Sequence, residues 1–154
     1  MDARDLRLLV VDDSDSMRRM MRSVLSRLGI GHIDEARDGV EGLELFRTVR
    51  YELVVTDLSM PNLNGMELLE AIRQTPGREM TPVLMVSGHL TERILREALD
   101  LRVDGFLAKP FGEALLVEKV TRLLLTSMRR KVTEVATTDS EVGLMGGVPP
   151  QEFT

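Results

Sequence analysis

Apolar residues are arranged along the chain in two alternating rhythms. Short unbroken runs that end on a polar residue are followed by stretches whose apolar positions recur every three or four residues. Leu6 to Val11 is the first run and delivers Asp12-Asp13. Ser14 and Asp15 then cap a helix whose inner face is Met17, Met20, Met21, Val24, Leu25 and Leu28, stopped by Gly29. Ile33 to Ala36 is a second, shorter strand. Asp38 and Glu41 form a capping box ahead of a helix with Val40, Leu43, Leu45 and Val49 on its apolar side.

The third run, Leu53-Val54-Val55, reads as a strand buried on both faces that carries Asp57 to its end, with Pro61 and Asn64-Gly65 marking the turn. Asn64 and Glu67 cap the helix that follows, with Met66, Leu69 and Ile72 inward and Thr75-Pro76-Gly77 closing it. Pro82 to Val86 is a fourth strand, ending at Ser87-Gly88. Thr91 caps a helix with Ile94, Leu95, Ala98 and Leu99 on one side. Gly105 to Ala108 is a short fifth strand ending at Lys109-Pro110, and a helix from about Gly112 carries Leu116, Val120, Leu123 and Leu124.

Five strands alternating with five helices, joined by short connections, predict a doubly wound α/β domain with a parallel sheet. Right-handed crossovers point every strand the same way. Asp12, Asp13, Asp57, Ser87 and Lys109 therefore emerge on one edge, where open α/β sheets bind ligands.

Composition narrows the picture. The 154 residues suit one domain with a tail, divided as a domain over 1–126 and a helix extension with flexible tail over 127–154. A net charge of −5 argues against nucleic acid as a partner. No apolar run approaches the roughly 18 residues of a membrane span, and no signal-peptide core opens the chain. With no cysteine there is no disulfide framework, so a reducing cytoplasm is the expected compartment. Only three of the twenty basic residues are lysines, which singles out Lys109 at a strand end.

Three carboxylates in one pocket repel, each close pair by roughly 4 kcal/mol at an effective dielectric near 20. Lys109 offsets one unit of charge. A hard divalent cation suits the remainder, and Mg²⁺ typically takes one or two carboxylates, water and a phosphoryl oxygen. An aspartate beside such a cation and a lysine can act as a nucleophile toward phosphorus, giving an aspartyl phosphate. Ser87 is placed to hydrogen-bond a phosphoryl oxygen on Asp57.

These motifs, Val10-Val11-Asp12-Asp13 with Ser16-Met17-Arg18-Arg19, Asp57 with Met60-Pro61-Asn62 and Gly65, Ser87, and Lys109-Pro110-Phe111, closely resemble those of the receiver domain of two-component response regulators. The resemblance spans about residues 6 to 125. It implies a flavodoxin-like fold with strand order 2-1-3-4-5 and a phosphorylation switch rather than a metabolic enzyme. Asp57 would accept phosphate from a histidine kinase. Asp13, Asp57 and the Ser59 carbonyl would bind Mg²⁺, with Asp12 acting largely through water on the ion. Lys109 would pair with the phosphoryl group, and the Lys109-Pro110 bond would be cis. Ser87 and Phe106 would form the switch pair, Phe106 standing where single-domain chemotaxis receivers have tyrosine. Ser59 and His89 occupy places that influence phosphoryl lifetime in the family.

The expected output surface is the fourth helix, fifth strand and fifth helix, with Ile94, Leu95, Glu97, Phe106, Glu118, Lys119 and Arg122 as candidates. The likeness to chemotaxis receivers suggests the flagellar motor switch as target, with another phosphorelay as the alternative. The twenty-nine residues after Leu125 are too few for a DNA-binding effector domain. Leu125, Met128, Val132 and Val135 predict a lengthened last helix, whose stripe packs on the domain or pairs with a second copy, in which case the chain is a dimerising scaffold. From about Thr137 the sequence reads as linker. A phosphohydrolase of the haloacid dehalogenase type also uses a strand-end aspartate, but its motif needs an acid two residues on, where this chain has Ser59.

Overall fold

A computed structural model describes residues 2–143, with side chains described through Arg130. Five strands, β1 (Arg7–Val11), β2 (His32–Ala36), β3 (Leu53–Asp57), β4 (Val83–Ser87) and β5 (Gly105–Ala108), alternate with helices α1 (Asp15–Arg27), α2 (Gly39–Thr48), α3 (Gly65–Arg73), α4 (Glu92–Asp100) and α5 (Glu113–Gly143). All strand pairs are parallel and the spatial order is β2-β1-β3-β4-β5. This is the doubly wound, flavodoxin-like arrangement.

Strand alternation divides the core in two. Leu8, Val10, Val55, Leu84 and Val86 pack beneath α1 and α5 with Met21, Leu25, Leu116 and Val120. Leu9, Val11, Val54, Val83 and Met85 pack on the other face with Phe46, Leu68, Leu69 and Ile72. Both faces of the three central strands are covered, which is why those strands read as apolar runs without polar interruption.

Helix starts follow their caps. Ser14 Oγ accepts the Met17 N–H at 3.2 Å, Thr91 Oγ1 accepts that of Ile94 at 3.2 Å, and Asn64 with Glu67 makes a full capping box. At α2 only half of the expected box forms. Asp38 accepts the Glu41 N–H at 2.8 Å, but the Glu41 carboxylate turns to the Arg37 N–H, while the second Asp38 oxygen accepts from Asn62 Nδ2 at 2.8 Å.

The apolar faces of α2 and α4 differ from expectation. On α2 the buried positions are Gly39, Gly42 and Phe46, and Val40 is exposed. A Cβ on Gly42 would lie 3.0 Å from Val11, so the absence of a side chain lets the helix settle on β1 there. On α4 Ala98 is buried and Leu99 faces solvent. Leu125, the first residue of the apolar stripe that continues along α5, is exposed and does not pack on the domain, and Ser127 is buried. Helix α5 continues to Gly143, so residues 137–143, which the sequence reads as linker, are helical; the rest of the tail lies outside the described residues. Among the described residues no helix is long and apolar enough to cross a membrane.

Candidate functional site

The parallel sheet brings its carboxyl ends to one rim. Asp12 follows β1 and is fully buried, its Oδ1 accepting the Ser14 N–H at 2.9 Å. Its carbonyl accepts from Nη1 of Arg18, a buried arginine one turn into α1. The same guanidinium bonds the Asp15 carboxylate and lies 3.4 Å from Glu35. Arg18 thus anchors the loop that carries the acid pair. Sequence reasoning left it as a motif residue; the available signal was an arginine on the inner side of an otherwise apolar helix face.

Asp57 closes β3 and is nearly buried. The chain turns tightly behind it, Gly65 donating its N–H to the Leu58 carbonyl at 2.9 Å. A Cβ on Gly65 would fall 2.2 Å from the Asp57 carbonyl oxygen, so only glycine fits this crossing. Between them, Asn62 adopts φ +70° and ties the loop to α2 through Asp38. From β5 comes Lys109, held by its N–H to the Ser87 carbonyl at 2.8 Å and followed by a cis bond to Pro110. Its ammonium lies 3.2 Å from Asp12 Oδ2 and 3.4 Å from Asp57 Oδ1.

The charges are unbalanced. One carboxylate oxygen from each of Asp12, Asp13 and Asp57 lies within 4.8 Å of the others, two of the acids buried and Asp13 exposed. One ammonium faces three negative charges. Burial first, then the charge of Asp12, pushes the Asp57 carboxyl above its ordinary value, with Lys109 opposing. Burial would lower the Lys109 ammonium, but Asp12 and Asp57 outweigh it and raise it. Three clustered carboxylate oxygens with an open side at Asp13 are a donor set that could hold a hard divalent cation.

The remaining candidates lie around this centre. Ser87 is buried, and its Oγ accepts the His89 N–H at 3.0 Å. Phe106 pairs with Met85 and Ala108 with Ser87, so Phe106 and Ser87 share one face of the sheet as diagonal neighbours. The Phe106 ring is half-buried against the layer that includes Ile94 and Met66. Ser59 and His89 are exposed on the two loops that flank the acids.

Fold and site together define a flavodoxin-like domain with a centre of three carboxylates and a lysine that could hold a cation. Comparison with known proteins makes the class specific. The family model described as the response regulator receiver domain matches residues 8–121. The chain is 34% identical over 120 residues to chemotaxis protein CheY-3 of Vibrio cholerae, covering 78% of this chain and 92% of that one. It is likewise 34% identical over 118 residues to chemotaxis protein CheY of Pseudomonas aeruginosa, covering 77% and 95%. The solved structure of Vibrio cholerae chemotaxis protein CheY4 superimposes with a TM-score of 0.73 at 30% identity, over 77% of this chain and 98% of that one. The chain belongs to the response regulator receiver family, and this membership sets the phosphohydrolase alternative aside.

Proposed function

We propose that the chain is a phosphorylation-activated switch of a two-component system, with Asp57 as phosphoryl acceptor from a histidine kinase. The observation that carries this reading is the position of the Lys109 ammonium between Asp12 and Asp57. An oxygen of the Asp57 carboxylate attacks the phosphorus of the phosphohistidine, an O–P bond forms, the N–P bond breaks, and the imidazole leaves with its electron pair and takes up a proton. Lys109 neutralises charge on the transferred group. Asp13, Asp57 and the Ser59 carbonyl would hold Mg²⁺, with Asp12 behind them. When bound, the ion supplies the positive charge that the three acids and the phosphoryl oxygens require.

Ser87 is the sensor. Its hydroxyl, which accepts from the His89 N–H, turns to donate to a phosphoryl oxygen on Asp57, and the Phe106 ring moves into the space beside it. The changed face, carrying Ile94, Leu95, Glu97, Glu118, Lys119 and Arg122, then binds a protein target. Likeness to the chemotaxis proteins supports the flagellar motor switch as that target.

Incubation with Mg²⁺ and a small phosphodonor such as acetyl phosphate, followed by intact mass measurement, tests the reading. Wild type gains one phosphoryl group and Asp57→Asn gains none. Equal labelling of both, or none on wild type, overturns it. Ser87→Ala should still be labelled but lose the beryllofluoride-dependent gain in target capture.

A further inference from the structure

At the opposite end of the sheet from Asp57, ahead of the first residues of β3 and β4, a cleft of about 430 Å³ opens between the α2–β3 turn, the α3–β4 loop and α5. Three arginines line it, Arg50, Arg78 and Arg130. Two carboxylates, Glu52 and Glu79, also line it and keep their charge, so the arginines exceed the acids by one, and a backbone N–H orients each acid. Glu52 accepts the Arg7 N–H at 2.7 Å, and Glu79 accepts the Gly77 N–H at 2.5 Å. In a chain of net charge −5, this concentration of arginine is local.

The arginines are only partly used. Arg78 spends one nitrogen on the Phe46 and Val49 carbonyls, and Arg130 spends one on the Met80 carbonyl at 3.2 Å. Arg50 makes no hydrogen bond or ion pair among the described residues. Arg73 lies behind the wall of the cleft, donating to the Glu79 and Thr81 carbonyls. Burial chiefly, and the positive charges of Arg102 and Arg130 in addition, hold its guanidinium below its ordinary value. Ser127 adds a second kind of donor. It is 8% exposed and lines the cleft, and its hydroxyl makes no hydrogen bond among the described residues. No fully enclosed polar side-chain atom among them lacks a partner, so this hydroxyl keeps its access to the cleft.

The Arg50 guanidinium and the Ser127 hydroxyl, which have no partner among the described residues, beside the remaining nitrogens of Arg130, match the oxygens of a phosphate group. Tyr51, Met80 and Pro82 give one side of the cleft an apolar wall, and its volume is that of a small-molecule site. We propose that this cleft binds a small phosphate-bearing molecule of nucleotide or sugar-phosphate size, the phosphate on Arg50, Arg130 and Ser127 and the organic part against Tyr51 and Met80. It is a site separate from the phosphoacceptor, at the other end of the same strands.

Amide NMR of the full chain, in EDTA so that no divalent ion can draw phosphate to Asp57, tests this. ADP, ribose 5-phosphate, pyrophosphate and adenosine serve as probes. ADP or ribose 5-phosphate should shift the amides of Gly77, Thr81 and Ser127 in a saturable way and leave those of Asp57 and Ser87 unmoved. Pyrophosphate should bind at the same amides more weakly, and adenosine should not bind. Which of the first two binds tighter identifies the organic part. Arg50→Gln and Arg130→Gln, whose spectra report their own folding, should each weaken binding about tenfold, as expected for one lost charge-assisted hydrogen bond. Absence of saturable shifts at these amides, adenosine binding as well as ADP, or unchanged affinity in both variants overturns the proposal.

Discussion

The ammonium of Lys109 lies 3.4 Å from the carboxylate of Asp57, and it is the one lysine at a centre that gathers three acids. The pairing is therefore incomplete, and the consequences of that shortfall can be measured.

Asp57 has a carboxyl raised by burial and by Asp12, so in the window between the ordinary and the raised value the folded protein binds a proton more readily than the unfolded chain. A raised acid costs stability at neutral pH, and the cost fades as pH falls through the folded value toward the ordinary 3.8. Asp57→Asn should consequently raise Tm at pH 7 in EDTA by a few degrees. The difference from wild type should shrink as pH is lowered to about 4, and Mg²⁺ should stabilise wild type more than the variant. Calorimetry across pH reads all three.

Lys109→Met should remove the compensating charge while keeping the stem's apolar contacts. The expected cost is about 1–3 kcal/mol in urea denaturation at pH 7. Labelling by acetyl phosphate should slow by about a hundredfold. Retained labelling at the wild-type rate would remove Lys109 from the reaction.

Two glycines give opposite expectations. Gly65→Ala forces a methyl group to 2.2 Å from the Asp57 carbonyl and should cost about 2–4 kcal/mol, with loss of labelling in the folded fraction. Gly77→Ala meets no atom within 4 Å and bears only its φ of +80°, so about 1 kcal/mol is expected and labelling should persist. Denaturation midpoints and intact mass distinguish the pair.

Arg73→Met leaves the Asp104 carboxylate and the carbonyls of Thr81, Glu79, Leu101 and Arg102 without their buried donor. A loss of about 3–5 kcal/mol is expected, read from the urea midpoint. Phosphoryl incorporation per folded molecule should stay at the wild-type level.

Asp12, Asp13, Asp57, Ser87 and Lys109 were legible because a parallel βα repeat leaves the ends of its strands only one edge on which to emerge. The inner face of α2 was not. Its buried positions include Gly39 and Gly42, which contribute no apolar side chain to a periodic pattern, so the pattern selects exposed Val40 in their place and misses Phe46. Leu99 misled for the opposite reason, since an apolar residue in helical register need not find a partner. Arg18 and Arg73 were hidden by charge. A buried arginine is indistinguishable in sequence from a solvated one until the carbonyls it serves are located, and those lie up to twenty-nine residues away.

Arg73 gives the domain unequal ends. One guanidinium rivets the α3–β4 loop to the segment between α4 and β5, all at the edge where the strands begin. At the edge where they finish, loops carry exposed Asp13, Ser59 and His89 around mutually repelling acids. The two ends are thus held differently, the starting edge by one buried cation shared among several carbonyls and the finishing edge by separate bonds from Arg18, Asn62 and the Lys109 N–H.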